Sequence, residues 1–145
     1  MPAKAKAQNS SADVDTYLSA MQKLNESLAR ELVPSLDRYG IDFRRYIILR
    51  RIEGGMLYPG AIARSMFLPK SIISRHIDQL EVDGLLERKL DVEDSRRIEL
   101  ILKRKGLDLV RDAHCVICDV VAKKLERLSP QRREALIAGL FELSA

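Results

Sequence analysis

The apolar residues of this 145-residue chain recur mainly at steps of three and four, and the period changes to two in one place only. Leu86, Arg88 and Leu90 alternate with their neighbours, as do Ile98, Leu100 and Leu102. The polar stretch Asp91-Val92-Glu93-Asp94-Ser95-Arg96 between them suits a hairpin tip. The expected fold is therefore mainly α with one small β-hairpin. The length fits one domain, on a prior of about 100–200 residues. A net charge of +4 permits a nucleic-acid partner without arguing for one. Two cysteines cannot build a disulfide framework. No apolar run approaches the ~18 residues of a membrane span. Residues 1–12 are small and polar, with Lys4 and Lys6 followed by no apolar core. They read as a disordered tail rather than a secretory signal, so the expected compartment is the cytoplasm.

Helical spacing begins at Asp13 and carries Val14, Tyr17, Leu18, Met21, Leu24, Leu28 and Leu32, with Pro34 expected to kink or end the helix near Val33. Asp42 is placed to cap a second helix bearing Phe43, Tyr46, Ile47, Leu49 and Ile52, which Gly54-Gly55 ends. Pro59 opens a short third helix with Ile62, Ala63, Met66 and Phe67 on its apolar face. Lys70 to Val82 forms a fourth, with Ile73, Ile77 and Leu80 inward and Gly84 as a left-handed cap. After the hairpin, Leu107, Val110, His114, Ile117, Val121, Leu125 and Leu128 mark a long helix. Ser129-Pro130 starts a last one bearing Leu136, Ile137, Leu140, Phe141 and Leu143. Helix, turn, helix and hairpin in this order is the winged helix-turn-helix pattern.

The segment Leu80-Glu81-Val82-Asp83-Gly84-Leu85-Leu86-Glu87-Arg88 resembles the boundary between recognition helix and wing in the MarR family of bacterial transcriptional regulators. Asp91 to Arg97 resembles that family's wing tip, with Asp94 and Arg96 on its Asp-x-Arg core. Leu102-Lys103-Arg104-Lys105-Gly106 lies where the family has Leu-Thr-x-x-Gly, and Ser71 to Arg75 where its recognition helix lies. The likeness runs over roughly residues 13–143. It implies a homodimer whose outer helices (13–40 and 107–145) interleave and whose lobe (41–106) binds duplex DNA at a pseudo-palindrome. It also implies a regulator, often a repressor, released by a small aromatic or phenolic compound or by oxidation. Three positions depart from the pattern. Lys103 replaces a helix-capping Thr, Ile72 replaces a hydroxyl residue, and Pro69 stands at the entry of the recognition helix.

Lys70, Ser71, Ser74, Arg75 and Gln79 face outward on the recognition helix and suit phosphates and base edges. Ile72 suits either a thymine methyl or the core. Arg96 and Arg97 on the hairpin suit a narrow minor groove, and the resemblance implies that Asp94 orients Arg96. Lys103, with Arg104 and Lys105, suits phosphates beyond the wing. Arg44, Arg45, Arg50 and Arg51 fit a phosphate track, a salt bridge or a ligand pocket equally well. From Arg96 to Arg111 six cations face two acids, an excess equal to that of the whole chain.

Tyr39, Arg44, Tyr46 and His114 are the candidate effector contacts. His114-Cys115-x-x-Cys118 admits structural, redox-sensing and metal readings. Apolar surroundings favour the structural one, and the metal reading needs Asp119 or further ligands. No cofactor or metal is expected, and no nucleophile–base pair or phosphate loop marks an enzyme. The alternatives to a ligand-controlled DNA-binding regulator are a thiol-based sensor using Cys115 and Cys118, a winged-helix protein-interaction module and a thiol oxidoreductase.

Overall fold

The computed structural model describes residues 2–145, with side chains described from Ser11 onward. Its elements are α1 (Pro2–Asp37), α2 (Phe43–Glu53), α3 (Pro59–Ser65), α4 (Lys70–Val82), β1 (Leu86–Leu90), β2 (Ile98–Leu102), α5 (Arg104–Leu125) and α6 (Pro130–Ser144). The chain divides into two compact units, Met1–Pro34 with Asp119–Ala145, and Ser35–Cys118. The second unit is larger than the 41–106 lobe expected from the motif. Leu36 on one side and Val110 and Ala113 on the other belong to its core.

Two expectations about α1 need revision. The helix starts at Pro2 rather than near Asp13, and Ala3, Lys4, Ala5, Lys6, Ala7 and Gln8 are all good helix formers. The side chains of the expected disordered tail lie outside the described residues up to Ser10. Pro34 sits inside the helix, which continues to Asp37. An interior proline costs roughly 3 kcal/mol. Burying Leu36, which is 1% exposed, offsets much of that, since a buried leucine contributes about 1.5–3 kcal/mol.

In the unit Ser35–Cys118 each helix end has a local cause. The Asp42 carboxylate accepts the Arg45 backbone N–H at 2.8 Å and so caps α2. On α4, Ile73, Ile77 and Leu80 fall on one stripe and are buried. Gly84 ends that helix with φ +75°, and the Leu85 N–H reaches back to the Leu80 carbonyl at 2.9 Å. The chain then enters the hairpin, in which Leu86 pairs with Leu102, Arg88 with Leu100 and Leu90 with Ile98. Leu86 and Leu100 point into the core. The link before α3 joins the hairpin too, with the Leu100 N–H donated to the Leu57 carbonyl at 2.8 Å.

The turn from α3 to α4 differs from the expected pattern. Phe67 was expected on the apolar face of α3; it is 94% exposed, and its φ is +53°. It occupies the left-handed position after the helix, where the Leu68 N–H is donated to the Ala63 carbonyl at 3.1 Å. That position favours glycine.

In the unit Met1–Pro34 with Asp119–Ala145, Lys124 donates to Ser27 Oγ at 2.8 Å and to Glu31 at 2.5 Å. Val14, Tyr17 and Leu18 of α1 and Leu136, Ile137, Leu140, Phe141 and Leu143 of α6 remain exposed. No helix among the described residues is long and apolar enough to cross a membrane.

Two glycine exchanges should act in opposite directions. Phe67→Gly removes a left-handed strain of roughly 1–2 kcal/mol per residue and adds less than that in unfolded-chain entropy. Its urea midpoint should rise by the equivalent of about 0.5–1 kcal/mol. A Cβ at Gly106 would lie 2.0 Å from the Leu85 carbonyl oxygen, so Gly106→Ala forces backbone apart. It should lower stability by about 1–3 kcal/mol or more.

Candidate nucleic-acid interface

Because Ile73, Ile77 and Leu80 take the inner face of α4, Lys70, Ser71, Ser74 and Arg75 are left exposed along its outer face. Gln79 is also exposed, but its amide donates to Asp83 at 2.9 Å and so is held at the helix end. Ile72 is half-buried. The helix is tied to the hairpin by Arg88, which donates to Asp78 at 2.5 Å and forms a second ion pair with Glu81. Burial alone would lower the pKa of that guanidinium; the hydrogen bonds to Asp78 and Glu81 outweigh this and raise it. Lys105 donates to the Asp83 carbonyl at 2.8 Å, and Arg104 pairs with Asp108. Lys103 is exposed at the start of α5, where its backbone carbonyl accepts the Leu107 N–H at 3.0 Å. It supplies the first helical turn without a side-chain cap.

The wing loop is organised by two aspartates. Asp94 accepts the Arg96 backbone N–H at 3.0 Å, and its carboxylate pairs with Arg97 at 3.8 Å. The side chain it approaches is thus that of Arg97, whereas the resemblance implied Arg96, whose side chain is exposed and which Asp94 meets only through the backbone N–H. Asp91 accepts the Glu93 N–H at 2.8 Å through one oxygen and the Tyr58 hydroxyl at 2.7 Å through the other. The hydroxyl bond, reinforced by the loop N–H groups, holds the Asp91 carboxyl below the usual carboxylate range. The same bond pushes Tyr58 up to about 12. Nothing in the local sequence around Tyr58 signals a contact with a residue 33 positions later.

The arginine group of α2 resolves mostly into ion pairs. Arg45 binds Asp42 at 2.8 Å and Asp83 at 3.6 Å, and Arg50 binds Glu53 at 2.5 Å. Arg51 lines a small groove with Ile47, Arg50, Gly54 and Met56.

Of the four candidate effector residues only Tyr46 and His114 meet. Tyr39 lines an open groove of about 760 Å³ with Asp83, Leu85, Arg104, Lys105 and Asp108. Arg44 is exposed on α2. Tyr46 is buried, and its hydroxyl meets His114 Nδ1 at 2.8 Å. Burial raises the pKa of Tyr46.

The cysteines were expected to be buried structural residues, and both are exposed. Val110 and Ala113 supply the core-facing side of α5, which leaves Cys115 and Cys118 outside it. Cys118 Sγ lies 3.5 Å from His114 Nε2. The thiol and the imidazole therefore lie side by side, with the Tyr46 hydroxyl on the other ring nitrogen. Among the described residues no group of three or more His, Cys, Asp or Glu side chains converges as a metal site.

A helix with an exposed polar and cationic face, ion-paired through Arg88 to a hairpin that carries two further arginines at its tip, defines a winged helix-turn-helix. The MarR family pattern matches residues 39–97, which hold the helix-turn-helix and most of the wing. Among solved structures, YusO from Bacillus subtilis aligns with a TM-score of 0.72 at 21% identity, over 91% of this chain and 96% of its own. A MarR family transcription regulator aligns with a TM-score of 0.82 at 16% identity, over 94% of this chain and 91% of its own. A mutant of Staphylococcus aureus MepR bound to an oligodeoxyribonucleotide gives 0.64 at 19% identity, over 88% of this chain and 94% of its own. No curated protein matches the chain. The MarR family pattern thus covers residues 39–97, and the chain shares the winged helix-turn-helix fold of these solved structures.

The Asp91 bonds carry a pH signature. Its folded pKa is depressed, so its contribution is present above the unfolded value of about 3.9 and is lost as pH falls through the folded value. The stability difference between wild type and Asp91→Asn, followed by urea unfolding, should be constant near neutrality and shrink below about pH 4. A difference that grows with acid would contradict the assignment.

Proposed function

We propose that the chain is a sequence-specific repressor that binds a pseudo-palindromic operator as a homodimer and is released by a small aromatic ligand. The observation carrying this reading is the outer face of α4. Lys70, Ser71, Ser74 and Arg75 are exposed there and make no side-chain hydrogen bond or ion pair among the described residues. Arg75 suits a guanine edge, Ser71 and Ser74 suit phosphates or bases, and Lys70 suits a phosphate. Arg96 and Arg97 on the wing reach toward the minor groove, and Lys103 toward the backbone. Gln79 has a smaller role, since Asp83 already holds it. The exposed apolar residues of α6 and of α1 support dimerisation. A two-fold dimer sets its recognition helices one DNA turn apart, ~34 Å. The groove beside Tyr39 supports a small aromatic effector. Such a ligand acts by binding more tightly to dimers whose helix spacing does not fit DNA.

A second reading, a thiol-based sensor, is favoured by the Cys118–His114 contact. In it the Cys118 thiolate attacks a hydroperoxide, the O–O bond breaks, and sulfenic acid forms as the alcohol leaves with the proton held by His114.

Gel-shift titration on DNA from upstream of its own gene tests the main reading. The log of affinity should fall linearly with log salt, by about 0.9 per phosphate neutralised. Arg75→Ala and Arg96→Ala should each weaken binding about tenfold, in line with the 1–3 kcal/mol of a good base contact. Absence of binding at low-micromolar protein and low salt would overturn it. For the thiol reading, hydroperoxide should release wild type from DNA and leave Cys118→Ser bound; equal release of both would exclude it.

A further inference from the structure

We propose that Tyr58 is a positioning residue for DNA binding, which sets the wing before DNA arrives. The inference rests on the reading of the wing as a DNA contact and assigns that contact a control point outside it. Tyr58 stands immediately before α3, in extended backbone with φ −105° and ψ 129°. From there its side chain meets the hairpin in three ways. The hydroxyl donates to Asp91 at 2.7 Å, where β1 has just ended. The same oxygen lies 3.3 Å from Glu99 Oε1 on β2. Its ring lies under the Arg97 guanidinium, 5.4 Å from the centroid.

Asp91 passes this anchorage into the loop. While one carboxylate oxygen is held by Tyr58, the other accepts the Glu93 N–H at 2.8 Å. The loop's own backbone closure consists of Asp91 N–H to the Arg97 carbonyl and Arg97 N–H to the Asp94 carbonyl, both at 2.9 Å. Residues 92–97 are otherwise exposed. A loop with so few internal bonds is loose in isolation, and ordering it on DNA would cost affinity. Tyr58 meets that cost in the free protein. Its hydroxyl fixes the loop base and its ring fixes the direction of Arg97. The two parts of one side chain therefore have separable effects.

The test compares wild type with Tyr58→Phe, which keeps the ring, and Tyr58→Leu, which removes both functions. In free protein, amide exchange over residues 91–97 should quicken at least about tenfold in both variants, while the buried α4 amides of Ile73 and Ile77 keep wild-type rates. A purely structural role would loosen α4 as well. On DNA from upstream of its own gene, Tyr58→Phe should bind about fivefold more weakly with an unchanged salt slope, since only the ordering cost differs. Tyr58→Leu should also lose about one unit of slope, as the Arg97 charge is no longer held toward the DNA. Wing exchange at the wild-type rate, or wild-type affinity and slope in both variants, would overturn the proposal. If wild type itself does not bind while the wing still loosens in Tyr58→Phe, the DNA reading has failed rather than the clamp. Tyr58 would then only hold the hairpin, and its positioning role would be excluded.

Discussion

The lobe depends on the backbone of one residue, Leu85. Its N–H closes the end of α4 on the Leu80 carbonyl, and its carbonyl accepts the Lys103 N–H at 3.0 Å just as β2 gives way to α5. Gly106 in the first turn of α5 lies against the same carbonyl, at a distance that no side chain tolerates. The Leu85 side chain is itself buried. The helix α4, the hairpin and α5 are therefore joined at one point by backbone geometry, with Gly84 supplying the left-handed turn on one side and Gly106 the close approach on the other.

Side-chain ties around that junction hold four elements together. Arg88 binds β1 to α4, Lys105 binds α5 to the last turn of α4, and Arg45 binds α2 to Asp83 at the same helix end. Most of these pairs are partly exposed, so each contributes little alone. Their common effect is positional. They occupy the cations near the C-terminal end of α4 and leave those at its N-terminal end, Lys70 and Arg75, free to face a polyanion. The local charge excess from Arg96 to Arg111 divides in the same way. Arg96, Lys103, Arg104 and Lys105 are all exposed, but the Arg104 and Lys105 side chains are engaged by Asp108 and the Asp83 carbonyl.

The element order, the bounds of α4 and the hairpin were legible in the sequence because the hydrophobic period and the cap residues agree there. Ile73, Ile77 and Leu80 mark one stripe, and Gly84 marks its end. Legibility failed where a long-range contact overrides a local signal. Pro34 does not stop α1 because Leu36 is buried beyond it. Phe67 looked like a core residue because its spacing is helical, yet the turn takes the left-handed region there. The cysteines looked buried because α5 is apolar at their spacing, but the stripe is only as wide as Val110 and Ala113 require. Tyr58 carries no one-dimensional signal, since its partners are brought to it by the pairing of Leu57 with Leu100 across the link and the hairpin.

The central claim is that α4 reads the major groove while the wing lies in the minor groove beside it. Dimethyl sulfate protection tests both at once on a bound duplex, because the reagent modifies guanine N7 in the major groove and adenine N3 in the minor groove. The account predicts protected guanines in two segments about one helical turn apart. Protected adenines should flank them and regain reactivity in Arg96→Ala. Tight binding with fully reactive guanine N7 positions would contradict it.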